Sequence, residues 1–174
     1  KKYHQMNIAH QTDTIIQFDK NKTITKVIDN SQQTLHFNVM PNKFVEETLI
    51  IDKYIISDNK IEAYFDRLYK TDMKKSPNHF IFLSSLINIQ KMIYLYMCKK
   101  FDIAYNPTSD EKFKIWPIRT DIQMNGMVRD SLNVMQDFKI EELKKINSSK
   151  YYINGSSSTK SIIKITGSAY VYVI

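Results

Sequence analysis

The chain has 174 residues, 43% of them apolar and 25% charged, with a net charge of +7. That balance excludes a disordered chain and suits one domain with a real core. Three glycines and one cysteine, Cys98, exclude collagen-like and glycine-loop architectures, an intrachain disulfide and a CxxC zinc site, and no GxGxxG, GxxxxGK[ST] or HExxH motif occurs. A single cysteine fits a reducing compartment, so a cytoplasmic protein without metal or cofactor is expected. The opening residues, KKYHQMNIAH, lack the apolar run of a signal peptide, and a chain without an initial Met fits a piece trimmed or cut from something longer. Lysines are spread through the chain in clusters no longer than the pairs Lys74-Lys75, Lys99-Lys100 and Lys144-Lys145. A solvated surface accounts for them, with a phosphorylated carrier or coenzyme as the next reading. Aromatic residues make up 12%, but they are not interleaved with basic clusters along the chain, so a nucleic-acid partner is not expected.

Taken in order, residues 1–20 are mixed and read as a loosely held arm or a short helix. KTITKVI (22–28) has the alternation of a half-buried strand, Asp29-Asn30-Ser31 is turn chemistry, and TLHFNVM (34–40) reads as the returning strand. Residues 1–40 therefore form an N-terminal arm or hairpin, and 41–174 a single domain. FVEETLIIDKYII (44–56) fits helix or strand, with its second half tipped toward strand. Ser57–Lys60 is a hairpin loop, and 61–69 alternates with Ile61, Ala63, Phe65 and Arg67 on one face.

The longest apolar stretch follows, HFIFLSSLINIQKMIYLYMC (79–98). Pro77 cannot lie inside a helix and Asn78 is a good N-cap, so a helix is predicted from about His79. It is apolar on nearly every side, which means a membrane span or the middle of a core. Ser84, Ser85, Asn88, Gln90 and Lys91 near its centre argue against a span. Beyond an exposed loop at 106–110, only strand signals remain: 111–122 with Pro117 marking an edge or bulge, a tight turn at Asn125-Gly126, 127–138, a helical turn or hairpin tip at 138–146, then 150–158 paired with 161–174. Strands before and after one helix make an antiparallel sheet, and one buried helix is hidden only if that sheet curls around it. The expected class is α+β, hot-dog-like, a curled antiparallel sheet wrapped around a long central helix at about 79–98.

Two polar groups share one side of that helix: His79 and Gln90 lie about 20° apart around the axis and about 16 Å apart along it. They work together only if the start is not helical or if a second subunit supplies one of them. A second line, Ser84, Asn88, Lys91 and Cys98, reads as a small-polar seam facing a loop or solvent. The start of a buried helix can hold an oxyanion on its free N–H groups, and a histidine there can act as base or donor. The plainer role for His79 is a structural bond to a strand carbonyl.

Asn78-His79-Phe80 ahead of this helix resembles the Gly-His-Phe that precedes the central helix of hot-dog acyl-thioester enzymes. The dehydratase branch has a Pro-rich segment after its His-Phe and a Glu on the helix; this chain has neither. It is more similar to FcoT-type fatty acyl-CoA thioesterases, whose helix reads His-Phe-Asn-Ala and then reaches an Asn-Gln pair. Allowing for a gap, Gln90 falls where the dehydratase acid sits, and Ile81 stands where the thioesterases have Asn. The resemblance covers Phe44 to Ile174. It implies a fatty acyl-CoA or acyl-carrier thioesterase with His79 and Gln90 as catalytic residues, acting as a homodimer or higher oligomer. Tyr64, Tyr69, Asn78 and Tyr94 are the substrate-binding candidates. The alternative is a non-catalytic hot-dog module that binds an acyl chain or mediates dimerisation.

Overall fold

A computed structural model describes residues 6–11, 15–19 and 21–174. Its strands before the helix are β1 (Met6–Gln11), β2 (Thr25–Ile28), β3 (Gln32–Met40), β4 (Lys43–Ile56) and β5 (Lys60–Thr71). Helix α1 (Phe82–Phe101) follows, then β6 (Phe113–Met124), β7 (Val134–Asn147), β8 (Lys150–Thr159) and β9 (Ile163–Val173). The strands form one antiparallel sheet in the order β1-β3-β4-β5-β7-β8-β9-β6, with β2 also paired to β4. Helix α1 packs on β4, β5 and β7 and also on β6, which lies three strands beyond β7. In a flat sheet β6 would stand about 14 Å past β7, so contact with both means the sheet curls around the helix. This is a hot-dog-like architecture. Among the described residues no helix is long and apolar enough to cross a membrane.

Period-two burial sets the inner face. Ile61, Ala63, Phe65 and Arg67 of β5, Tyr151, Ile153, Gly155, Ser157 and Thr159 of β8, and Ile163, Ile165, Ala169 and Val171 of β9 all point toward α1. They meet Ile89, Met92, Ile93, Leu95 and Met97 from the helix in the core.

Several elements differ from the sequence reading. The helix begins at Phe82, not near His79, because the approach segment spends its amides elsewhere: Phe80 N–H donates to the Val128 carbonyl at 2.8 Å and Ile81 N–H to Glu47 Oε1 at 3.2 Å. Asn78 is therefore not the cap; extended Ile81 is, without a side-chain bond of its own. The far end runs to Phe101 and stops at left-handed Asp102, whose N–H returns to Cys98 and Lys99 carbonyls. The polar seam divides: Ser84, Asn88 and Cys98 are buried, while Lys91 faces the loop residues Tyr105 and Asp29. Segments 22–28 and 34–40 do not pair with each other. Strands β2 and β3 both lie along β4, end to end. Residues 127–133 are not a strand; their Val128, Asp130 and Ser131 carbonyls accept from Phe80 and Arg67, and β7 runs instead through 138–146, where a helical turn or hairpin tip was expected. The arm or short helix proposed for 1–20 falls partly outside the described residues, and within them 6–11 is a strand on β3.

Candidate active site

The start of α1 rests on a buried ion pair. Glu47 on β4 and Arg67 on β5 point inward, register neighbours around the Leu49–Arg67 and Glu47–Tyr69 pairs, and both side chains are sealed from solvent. Arg67 donates to Glu47 Oε2 from Nε at 3.0 Å and from Nη2 at 2.7 Å, to the Asp130 carbonyl at 2.7 Å and to Asn78 Oδ1 at 3.2 Å. The other Glu47 oxygen accepts the Ile81 amide, so a carboxylate sits at the positive end of the helix. Burial pushes the Glu47 carboxyl above its ordinary range. The Arg67 guanidinium, the Ile81 amide and the Ser84 hydroxyl, which faces the carboxylate without closing a hydrogen bond, pull it back.

Three expected site residues gather beside this pair. The His79 ring lies 5.7 Å from the Tyr69 ring, its Nδ1 is 2.8 Å from the Pro77 carbonyl, Tyr69 Oη meets Ser76 Oγ at 2.9 Å, and Asn78 accepts from Arg67. Tyr64 is elsewhere. It occupies the opposite face of β5, donates to Glu62 and lies under Lys53.

One turn further along α1 lies a second buried network. Asn88 Nδ2 donates to Gln136 Oε1 at 2.9 Å, and Gln136 Nε2 donates to Ser85 Oγ, the Ser85 carbonyl and Ser157 Oγ. Tyr54 donates to Asn88 Oδ1 at 3.4 Å; its phenol is buried, and burial raises its pKa well above the ordinary value. Lys91 donates to Tyr105 Oη at 2.7 Å and lies 4.0 Å from Asp29. Burial lowers the Lys91 ammonium to about 8, opposed by Asp29, and burial raises the Cys98 thiol to about 12, opposed by Lys91.

Gln90, exposed on the helix, stands where two cavities adjoin. One, of about 260 Å³, lies between α1 and the β6–β9 side of the sheet, walled by Leu86, Ile89, Ile93, Phe138, Ile153 and Ile165 with Arg119 and Ser168 among the few polar groups. The other, of about 600 Å³, has a mixed lining, with Gln33, Lys91, Glu111 and Lys114 beside Ile87, Tyr94, Tyr105 and Phe113. Gln90 and Ile115 belong to both. Gly167 is on the wall of the apolar cavity, and a Cβ there would sit 2.5 Å from the Arg119 carbonyl; its register partner Gly155 lies under the Phe138 ring, 2.6 Å from where a Cβ would be.

The structure thus separates the expected residues into two groups, with Tyr69, Asn78 and His79 before the helix and Gln90 and Tyr94 on the chamber, while Tyr64 joins neither. His79 lines neither cavity. Sequence reading missed Glu47 and Gln136 as buried polar groups. The signal for Gln136 was its place between Val134 and Phe138 on an alternating face, and for Glu47 the presence of Arg67 on an apolar one.

No protein-family model matches the chain, and no curated protein sequence does. Among solved structures, a mutant thioesterase from Pseudomonas aeruginosa is 6% identical with a TM-score of 0.43, over 72% of this chain and 82% of that one. A thioesterase from Haemophilus influenzae is 10% identical with a TM-score of 0.43, over 72% and 78%. An HP0420 homologue from Helicobacter felis is 10% identical with a TM-score of 0.36, over 68% and 75%. Likenesses of this degree assign no activity.

Proposed function

We propose that the protein is an acyl-thioester hydrolase whose acyl chain lies in the apolar cavity and whose carrier occupies the wider chamber with its charged groups. The observation that carries this is Gln90, a solvent-reached amide on the wall common to a greasy slot and a wider chamber that holds the charged groups Lys91, Glu111 and Lys114. A thioester has that same division, with the reacting carbonyl at the boundary. The Gln90 amide N–H can hold the carbonyl oxygen as charge develops, or its oxygen can orient the attacking water; it cannot be the base. Water adds to the carbonyl carbon, the C–S bond breaks and the thiol leaves with the proton the base has taken. The base in this reading is His79 of a second copy, since His79 lines neither cavity of its own chain. Lys114 at the chamber suits a phosphorylated carrier, and a fatty acyl-CoA is the finer reading of the substrate. An engineered apolar cavity of about 150 Å³ takes a six-carbon ring, so one of about 260 Å³ suits roughly ten carbons.

The test is thiol release from acyl-CoAs of increasing length. Turnover peaks at medium chains, and Gln90→Ala lowers kcat by on the order of a hundredfold or more. Wild-type rates in both Gln90→Ala and His79→Ala remove the site assignment. A second reading, a module that binds an acyl chain without cleaving it, is favoured by the absence of any Asp or Glu from α1. Acyl-CoA retained through gel filtration with no thiol released over hours decides for it.

A further inference from the structure

The outer face of the sheet at its β6 end carries aromatic and basic side chains in register. Trp116 pairs with Tyr170 and Tyr170 with Tyr152, which in turn pairs with Lys144, so one row across β6, β9, β8 and β7 reads Trp, Tyr, Tyr, Lys. The adjacent row reads Lys114, Tyr172, Lys150, Asn147. These residues alternate with inward Phe113, Val171, Ile153 and Tyr151, so they point away from α1. Trp116 is 62% exposed. Ring centroids stand 6.2 Å apart for Tyr152–Tyr170 and 6.3 Å for Tyr170–Tyr172, and Lys150 Nζ lies 3.6 Å from the Tyr170 centroid. A groove of about 680 Å³ opens between Lys114, Trp116, Ile118, Tyr170 and Tyr172. No carboxylate stands in either row. The nearest in register is Glu142, one row further along with Asn154, Ser168 and Arg119.

We propose that this face binds single-stranded nucleic acid, with Trp116, Tyr170 and Tyr152 stacking bases and Lys114, Lys144 and Lys150 meeting phosphates. An open sheet bearing rings in a row with cations between them is the arrangement that holds unpaired bases, because every base has a face to stack and a phosphate beside it. The chemistry favours this occupant over a second copy of the chain. Three lysines without a carboxylate in their rows would oppose their own image across a two-fold axis. The rings and lysines lie up to 58 residues apart in sequence, from Lys114 to Tyr172, and only the register brings them together. Binding moves the Lys150 ammonium from the Tyr170 ring to a phosphate. The proposal does not rest on the hydrolase reading, since Trp116, Tyr152, Tyr170, Lys144 and Lys150 are on the face opposite the one that α1 covers, and only Lys114, on the marginal strand, also lines the chamber.

Trp116 is the only tryptophan in the chain, so its fluorescence reports on this face. The whole chain is titrated with oligo(dT) and oligo(U) of eight or so nucleotides at low salt, following Trp116 emission and the anisotropy of labelled oligonucleotide. Saturable quenching is expected, with log K falling against log salt at a slope near −2 for about three phosphates met. Tyr170→Ala weakens binding on the order of tenfold or more, and Lys150→Gln brings the slope about 0.7 nearer zero. Trp116→Phe, which keeps a ring, holds affinity within a few-fold, and circular dichroism melts establish that the variants fold. Unchanged Trp116 emission at about 50 mM salt overturns the proposal. So does binding indifferent to Tyr170→Ala and Lys150→Gln together, or Trp116 emission that follows protein concentration and not oligonucleotide, which would give the face to a second copy.

Discussion

Glu47 carries three duties with two oxygens: it neutralises Arg67, accepts the Ile81 amide and faces the first turn of α1. Each duty is cheap only while the others are met, because taking either charge out of the pair leaves its partner buried and alone. Breaking such a pair from one side costs about 3–5 kcal/mol, while replacing both with apolar groups of similar volume is often near neutral. Glu47→Gln and Arg67→Met are therefore each expected to lose roughly 3 kcal/mol in urea unfolding, and Glu47→Leu/Arg67→Met less than the two losses added. Simple additivity would mean that the pair is not coupled. Half of this was legible beforehand: an arginine on the apolar side of an alternating strand has to have found a buried acid. Which acid it found was not legible, because 44–56 gave no clear period and so no face to place Glu47 on.

Between elements, the same competition for backbone and side-chain partners explains where strands and helix stop. Helix α1 was legible as an apolar run, but its first turn was displaced by three residues because the Val128 carbonyl and Glu47 claim the amides of Phe80 and Ile81. Those partners are 48 and 34 residues from the amides they take, beyond any local signal. The pairing of β8 with β9 was legible because both alternate cleanly and a short turn joins them. Where β8 meets β9 at Gly155 and Gly167, the missing side chains allow neighbouring backbone to close in: the Lys139 carbonyl stands 2.5 Å from where a Gly155 Cβ would be. Gly167→Ala must push the Arg119 carbonyl away and loosen β6 from β9. A loss of about 1–3 kcal/mol is expected from overpacking, with amide exchange accelerated in β6 more than in β4. Uniform acceleration across the sheet would instead mean that the glycine row is no special seam.

At the scale of the molecule, the strand order leaves β6 as one margin of the sheet, twelve residues long, with Pro117 and a bulge between Pro117 and Arg119. Ile122 and Met124 pair with Ile165 and Ile163, which point inward, yet they are 39% and 43% exposed, so their inner side extends past what α1 covers. An edge this long with apolar groups beside it is either protected or joined to another strand. The bulge and Pro117 protect only its first half. A second copy joined along the rest would cover Ile122 and Met124, and would bring another chain's helix approach, with its His79, toward the chamber at Gln90. We expect sedimentation at the mass of a dimer. In Ile122→Lys/Met124→Lys that mass halves while the melting temperature of the fold changes little, since both side chains are already wet in one chain. Thioester turnover should fall with the dimer. It should also return in part when His79→Ala and Gln90→Ala chains are mixed, because one site of the mixed dimer then keeps both residues. A wild-type chain that sediments as a monomer at micromolar concentration would exclude the joined edge. Full activity in the monomeric double variant would exclude a base from the second copy, leaving it to be sought within one chain, at Glu111 or Lys91 on the chamber wall.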